Sequence, residues 1–228
     1  MAADQHPIPY DVGVLHGRFQ VLHNDHLRYL LAGKALSRHL VVGITNPDPT
    51  LTRERSADPH RSRPEANPLT YYERQALVRA ALGDAGVPAE AFTVVPLPIN
   101  FPELYGHYVP LDAVFFLTIY DDWGREKLRQ FQELGLRTHI LWDVPPEAKG
   151  ISGSEVRRRM ARGEPWKPLV PPAVAVLLEA WDVPGRLRRP REGAPIPSPG
   201  PGKGTRDTLF PEGDPASRPS GKSFANRR

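Results

Sequence analysis

The chain has 228 residues, of which 39% are hydrophobic and 25% are charged, as is usual for a globular protein. It contains no cysteine, which excludes disulfides, thiolate metal ligands and a cysteine nucleophile. No segment approaches the roughly 20 apolar residues of a membrane-spanning helix, and the first residues lack the pattern of a signal peptide. We therefore expect a cytoplasmic protein with no membrane partner.

The net charge of +4 is concentrated near the C-terminus. After Val183 the chain has ten lysine or arginine residues, four acidic residues, nine prolines and seven glycines. Such a composition cannot bury a core, so we predict one folded domain at 1–183 and a disordered tail at 184–228. Nucleic acid is not an expected partner, because the basic excess lies in the tail and tail composition is a non-specific signal. A homo-oligomer is left open.

Along the folded part, short apolar runs alternate with segments of helical periodicity. Strands are predicted at Asp11–Leu15, His39–Ile44, Phe92–Pro96, Ala113–Leu117 and Arg137–Leu141. The first helix is predicted from Asn24 or Asp25, either of which could cap it, to Ser37. A second is predicted after Thr70, which forms a capping-box pattern with Glu73. Further helices are predicted over Asp121–Leu134, Ser152–Arg162 and Pro171–Trp181. Alternation of this kind predicts the α/β class, with a doubly wound, parallel, five-stranded sheet and helices on both faces.

The first candidate site follows the first predicted strand, at Gly17-Arg18-Phe19-Gln20 and then His23 and His26. A phosphate bound there would meet the N-terminus of the next helix, where unpaired N–H groups and the positive end of the helix dipole lie. Gly17 allows close approach of the backbone, and Arg18 offers a permanently charged fork suited to phosphate. His23 and His26 lie three residues apart, so their rings should project from nearly the same helix face.

Alone, two histidines at this spacing would be equally compatible with a metal site that lacks its third ligand. Asp25, between them, is an unexpected carboxylate beside a phosphate site. Sequence leaves two roles open for it, capping of the helix or help in holding magnesium.

Two further regions follow later strands and should reach the same edge of the sheet. The segment 46–68 has four arginines and is predicted to be a lid or an unstructured insertion. After the third predicted strand, Asn100, Tyr105 and His107 are weak candidates for binding an acceptor, where a substrate could stack on an aromatic ring. The alternative is that these residues only pack a loop. Trp123 and Trp142 are interpreted as packing residues.

Taken together, three segments resemble the nucleotidyltransferase superfamily, and in particular the archaeal-type nicotinamide-mononucleotide adenylyltransferases. Gly17-Arg18-Phe19-Gln20 with His23 and His26 resembles the first signature of that family. The segment from Ile151 through Ser152 and Ser154 to Arg157 resembles its second, at a late helix N-terminus. Asn67–Arg74 resembles the helix start between them, and the three occur in the order of the family.

The resemblance implies a Rossmann-like fold in which the phosphate of an acceptor attacks the α-phosphate of ATP in line and pyrophosphate leaves. Mg²⁺ would be held mainly by the substrate phosphates, with no metal site made by the protein. The roles implied are transition-state stabilisation by His23 and His26, with Arg18 beside them, and nucleotide binding by a set shared between both motifs: Gly17, Arg18, Phe19, His23, His26, Ser152, Ser154 and Arg157. Positioning and charge neutralisation would suffice, without a covalent intermediate.

The expected partners are thus ATP and a small phosphorylated acceptor, with nicotinamide or nicotinate mononucleotide as the acceptor and NAD biosynthesis as the setting. Within the same class, CTP or another small acceptor remains open. A non-catalytic nucleotide-binding regulator is a further alternative, because the family usually has glycine where this chain has Asp25.

Overall fold

The computed structural model describes residues 8–49, 51, 66–148 and 150–189. Most of the 46–68 segment and the chain from residue 190 onward lie outside these ranges, so the lid and tail predictions for them stay predictions. Within the described ranges, no helix has the length and apolar character needed to cross a membrane.

Five parallel strands form one sheet in the described part of the chain, as predicted. They are β1 (Tyr10–Gly17), β2 (Ser37–Ile44), β3 (Phe92–Pro96), β4 (Val114–Ile119) and β5 (Arg137–Asp143). Their order across the sheet is β3-β2-β1-β4-β5. At their carboxyl ends, β1, β4 and β5 continue beyond the predicted limits, so His16 and Gly17 belong to β1 itself.

The described helices are α1 (Asn24–Ala35), α2 (Tyr71–Asp84), α3 (Asp122–Glu133), α4 (Gly153–Arg162), α5 (Pro172–Ala180) and α6 (Val183–Arg188). Helix α2 begins with the capping box predicted from sequence, in which the Thr70 side chain accepts from the Glu73 N–H and the Glu73 carboxylate accepts from the Thr70 N–H. Two satisfied backbone donors explain why this helix starts where it does.

Helix α6 corrects the predicted boundary at 183/184, because the first residues of the predicted tail are helical. The Asp182 carboxylate caps the helix by accepting from the Gly185 N–H at 3.1 Å. Arg186 pairs with the Glu73 carboxylate and donates to the Pro68 carbonyl at 2.7 Å. These partners lie more than a hundred residues away along the chain, so local composition cannot indicate them.

The core lies on both faces of the sheet, as adjacent residues of β1 illustrate. Leu15 packs into a cluster with residues of α1, α2, α4 and α5, whereas Val14 packs with Phe115 and with Phe131 of α3. Because successive side chains of a strand point to opposite faces, the apolar run of β1 is buried on both faces of the sheet. This arrangement fixes β1 and β4 as rigid supports for the residues that follow them.

The position of β1 in the sheet creates a crevice. The chain leaves β1 for β2 and β3 on one side and then crosses back to β4 on the other. In open α/β sheets, ligands bind at this kind of switch point, beyond the carboxyl ends of the strands. Helices α1 and α3, which follow β1 and β4, both begin at this edge.

Candidate active site

A pocket of about 510 Å³ opens at the carboxyl ends of β1 and β4. Nearly all of the site residues predicted from sequence line it: Gly17, Arg18, Phe19, His23, His26, Asn100, Ser152, Ser154 and Arg157. We call the part formed by Arg18, His23, His26, Ser152, Ser154 and Arg157 the α1–α4 end. The first and second sequence motifs therefore meet in space, as the family resemblance implied.

The two histidines begin helix α1 by capping each other. His23 is the N-cap residue, and its Nδ1 accepts from the His26 N–H at 3.4 Å. In return, the His26 Nδ1 accepts from the His23 N–H at 3.3 Å. The expectation that Asn24 or Asp25 caps this helix is wrong, because imidazole nitrogens take that place. The two rings stack with centroids 3.6 Å apart.

These reciprocal bonds fix the protonation of both rings. A neutral imidazole has one donor nitrogen and one acceptor nitrogen, so two Nδ1 acceptors leave both Nε2 atoms as N–H donors. Burial lowers the pKa of His23 to about 4, although the nearby Asp25 carboxylate opposes that shift. Burial also holds the pKa of His26 well below its usual value; the neighbouring His23 and Arg18 act in the same direction, and a hydrogen bond to the Val21 backbone opposes them. Both histidines are neutral hydrogen-bond donors at physiological pH.

Asp25 joins the two motifs. Its carboxylate accepts from the Ile151 N–H at 2.6 Å, across 126 positions of sequence. The carboxylate lies where a side chain at residue 150 would be, since a Cβ on Gly150 would meet the Asp25 Oδ2 at 2.4 Å. Asp25 does not cap α1. It holds the segment that leads into α4 against the start of α1, which explains a carboxylate at the edge of an anion site.

The second motif forms the start of α4. The Ser152 hydroxyl accepts from the Glu155 N–H at 3.1 Å and so caps the helix. Arg157 donates to the Ser154 hydroxyl at 3.1 Å and to the Gln20 carbonyl, which lies in the first motif. Burial lowers the pKa of the Arg157 guanidinium, which remains charged at neutral pH. The α1–α4 end thus combines two helix N-termini, two arginines and two imidazole donors, a set suited to a polyphosphate.

The Phe19 ring packs against the ring of His26. Its side chain is buried, and its ring centroid lies 5.1 Å from that of His26 in an edge-on arrangement. A Cβ on Gly17 would come within 2.8 Å of the Phe19 ring. Gly17 is therefore needed first for packing of Phe19, in addition to the close phosphate approach that the sequence suggested.

Arg74 organises the loops around this end although it is not part of the pocket lining. It is 1% exposed, and its guanidinium donates to five backbone carbonyls of the described residues. Two of them are those of Arg18 at 3.1 Å and Thr45 at 2.7 Å, in the loops after β1 and β2. Further bonds reach Thr70, Asn46 and Pro47. A buried cation satisfied by carbonyls fixes the backbone from which Arg18 extends.

The other part of the pocket, which we call the α3 end, contains His16, Asn100, Trp123 and Lys127. The Lys127 ammonium lies 3.4 Å from the centroid of the Trp123 ring, one helical turn away on α3. The interpretation of Trp123 as a packing residue is therefore wrong, because it lines the pocket. Trp142 does pack, with Arg28 lying 5.2 Å above its ring.

Tyr105 does not lie in the pocket, which corrects its assignment as an acceptor-binding residue. It is 2% exposed, packs against Phe131, and donates to the Ile99 carbonyl at 2.7 Å. Its aromatic ring is used for the core, and its hydroxyl holds the backbone next to Asn100. Tyr105 thus supports the loop that carries the other predicted acceptor residue.

Sequence reasoning missed His16 and Lys127. His16 lies directly after the predicted end of the first strand and before the first motif, and a lysine in an amphipathic helix is usually solvent-exposed. The available signal was the position of Asp121, whose side chain caps α3 directly after β4. Trp123 and Lys127, four residues apart in the first turns of that helix, share the face that lines the pocket.

The comparisons with known proteins agree with this geometry. The model of the cytidylyltransferase-like family matches residues 14–159, which include both motifs and the α3 end. The chain belongs to the cytidylyltransferase-like family. It is a nucleotidyltransferase, since the fold, the paired motifs and the family agree.

Relatives in this family differ in their substrates. A phosphonoformate cytidylyltransferase from Streptomyces viridochromogenes is 53% identical over 77% of this chain and 95% of its own length. A nicotinamide-nucleotide adenylyltransferase from Methanolobus tindarius is 33% identical over 75% of this chain and 90% of its own. The corresponding protein of Thermococcus kodakarensis is 31% identical over 72% and 79%. The resemblance to archaeal adenylyltransferases is confirmed.

Among solved structures, a bifunctional NMN adenylyltransferase/ADP ribose pyrophosphatase from Francisella tularensis superposes with a TM-score of 0.53 and 19% identity. The match covers 76% of this chain and half of that protein. At this identity it supports the fold alone, and the Rossmann-like architecture predicted from sequence is confirmed.

Proposed function

We propose that this nucleotidyltransferase transfers CMP from CTP to phosphonoformate or a closely related small phosphonate. The observation that carries the proposal is the 53% identity to a phosphonoformate cytidylyltransferase over 95% of that protein. The described adenylyltransferase relatives share only about a third of their residues with this chain over similar lengths. The proposal replaces ATP by CTP, an option that the sequence left open.

In the proposed reaction, a phosphonate oxygen attacks the α-phosphorus of CTP. A new P–O bond forms as the bond from the α-phosphorus to the bridging oxygen breaks, and pyrophosphate leaves. Charge builds on the phosphate oxygens during this displacement, and the Nε2–H groups of His23 and His26 can donate to them as neutral groups. Arg18 and Arg157, with the N-termini of α1 and α4, would bind the triphosphate.

Mg²⁺ remains part of the proposal as an ion held mainly by the phosphates of CTP. Among the residues that the structure describes, no three His, Asp or Glu side chains gather as a metal site, and the carboxylates in the pocket lining are those of Asp25 and Asp121. Both accept a backbone N–H, and their place in the lining would let either carboxylate contact a phosphate-bound ion through water. When bound, Mg²⁺ would neutralise charge on the phosphate oxygens.

The test is a matrix of nucleotides and acceptors. Purified protein with Mg²⁺ receives CTP or ATP together with phosphonoformate, nicotinamide mononucleotide or nicotinate mononucleotide, and pyrophosphate release and product mass are measured. We expect turnover with CTP and phosphonoformate, lowered about 10³-fold in His26→Ala. Turnover confined to ATP with a mononucleotide would overturn the proposal.

The second candidate is the adenylyltransferase activity predicted from sequence, which the identity to the Methanolobus tindarius protein favours. The same matrix distinguishes it by product mass.

The regulator alternative was motivated by Asp25, whose bond to Ile151 gives that residue a structural role independent of lost activity. Binding of nucleotide without pyrophosphate release in any combination would favour a regulator.

A further inference from the structure

We propose that the α3 end of the pocket is an acceptor subsite in which Lys127 and His16 bind the carboxylate of a phosphonocarboxylate. The inference rests on the proposed function and adds the residues that select the acceptor. It starts from a pocket that extends past the α1–α4 end and ends against α3 with a lysine, a buried histidine and an aromatic ring.

Lys127 supplies the positive charge at this end. It lies one helical turn after Trp123 on α3, and the contact between its ammonium and the indole ring holds the charge at the pocket wall. The ring shields one side of the ammonium from water, which strengthens its attraction to an anion. The start of α3 adds the positive end of a helix dipole, since Gly124 also lines the pocket.

His16 supplies a polar nitrogen that lacks a hydrogen-bond partner in the described part of the chain. It is 7% exposed, lies directly before Gly17, and its Nδ1 is buried and unsatisfied. Burial, together with the positive charge of Lys127, holds the pKa of His16 well below its usual value, so the ring is neutral. An unsatisfied buried nitrogen costs stability unless a ligand pairs with it, and a carboxylate can accept from Nδ1–H.

The polar groups of this end favour an anion. Asn100 adds an amide from a loop that Tyr105 holds in place through the Ile99 carbonyl. Asp121 is the carboxylate that faces an incoming anion here, and it caps α3 by accepting from the Gly124 N–H at 3.0 Å. If the carboxylate of the acceptor binds Lys127, the phosphonate group of the same molecule would point toward His23 and His26, where the transfer would occur.

The experiment compares the wild-type protein with Lys127→Met, Lys127→Arg and His16→Gln. Lys167→Met is the matched control, because Lys167 pairs with Glu179 at the surface at 2.6 Å and is not in the pocket lining. Turnover is measured with CTP and either phosphonoformate or methylphosphonate, which lacks the carboxylate. Thermal melting of each variant tests whether it is folded.

We expect Lys127→Met to raise the KM for phosphonoformate by about 30-fold, with less than about a twofold change in the KM for CTP. Lys127→Arg should retain part of the affinity, and His16→Gln should raise the same KM by about tenfold. The preference for phosphonoformate over methylphosphonate should shrink in Lys127→Met. Equal KM values in wild type and Lys127→Met would overturn the inference and leave the proposed function standing.

A binding measurement distinguishes failure of the acceptor-subsite inference from failure of the proposed function. A phosphonocarboxylate resembles pyrophosphate in charge, so it could also bind in place of the nucleotide phosphates. Its binding is therefore measured by calorimetry with the enzyme saturated by a non-hydrolysable CTP analogue, which blocks that position. Binding without turnover that Lys127→Met weakens would support the subsite and overturn the proposed reaction. Neither binding nor turnover in the wild type would overturn both.

Discussion

At the α1–α4 end of the pocket, the functional side chains come from two short segments, and each segment carries its own helix cap. At the α3 end, by contrast, His16, Asn100 and Lys127 come from three separate parts of the chain and share no local pattern. The first end is built by local hydrogen bonds that a motif can encode. The second exists only because the sheet crosses over between β1 and β4.

This difference has a functional counterpart in the proposed reaction. The α1–α4 end would bind the triphosphate, which every enzyme of this class shares, whereas the α3 end would meet the acceptor, in which the relatives differ. Variants at the two ends should therefore fail in different ways. Those at the α1–α4 end should impair turnover with any acceptor, and those at the α3 end should change the choice of acceptor.

The largest effect is expected for His26→Ala. Loss of a donor aimed at developing charge should lower kcat by about 10³-fold with every acceptor that the enzyme uses. Steady-state kinetics with at least two acceptors tests this, and His107→Ala, an exposed histidine outside the pocket lining, is the control. An effect limited to one acceptor would contradict the assignment of the α1–α4 end to the triphosphate and of the α3 end to the acceptor.

Next in size is Arg74→Met, which tests whether the α1–α4 end depends on buried support. The substitution leaves several backbone carbonyls without their donor, so we expect a loss of about 4 kcal/mol in the free energy of unfolding. Urea unfolding measures it. Arg79→Lys, at an exposed position of the same helix, should stay within about 0.5 kcal/mol of wild type. A similarly small loss for Arg74→Met would contradict the role of the carbonyl bonds.

The neutral state of His23 predicts a dependence of stability on pH. The unfolded imidazole has a pKa of 6.5 and the folded one a pKa of about 4, so the unfolded chain binds more protons between these values. The free energy of unfolding should therefore fall as pH falls through that window, and His23 should contribute about 3 kcal/mol of that fall.

His23→Gln removes this contribution and should flatten the pH dependence by a similar amount. Urea unfolding of both proteins at several pH values measures the two slopes. Above the window the slopes should coincide, which separates the loss of a proton site from the loss of the cap. Identical slopes within the window would mean that His23 is not held neutral by the fold.

Asp25→Gly, which introduces the residue usual in the family, should have the smallest effect. It removes the acceptor of the Ile151 N–H, and we expect a loss of about 1 kcal/mol in stability and a several-fold rise in the KM for CTP. Asp25→Asn keeps an acceptor and should lose less, and Asp112→Asn, at an exposed loop position, is the control. An unchanged KM for CTP in Asp25→Gly would show that the two motifs stay together without this bond.

Sequence patterns were sufficient for the sheet, because buried parallel strands are short apolar runs and helix α2 has its capping box within four residues. They were insufficient for α6, which is held by Arg186 against Glu73 and Pro68. For the site, the resemblance of the two motifs to a known family predicted which segments meet. Tyr105 and Trp123 were misassigned because burial of an aromatic side chain depends on its tertiary neighbours, which periodicity does not contain.

The bond between Asp25 and Ile151 also has a consequence for the order in which the protein is made. All five strands of the sheet precede Ile151, whereas α4 and α5, which pack with Leu15 on one face of the sheet, follow it. Domains fold as units while synthesis proceeds from the N-terminus. The core of that face is therefore incomplete until these helices emerge, and the bond from Ile151 to Asp25 that closes the triphosphate site forms together with the core, late in synthesis.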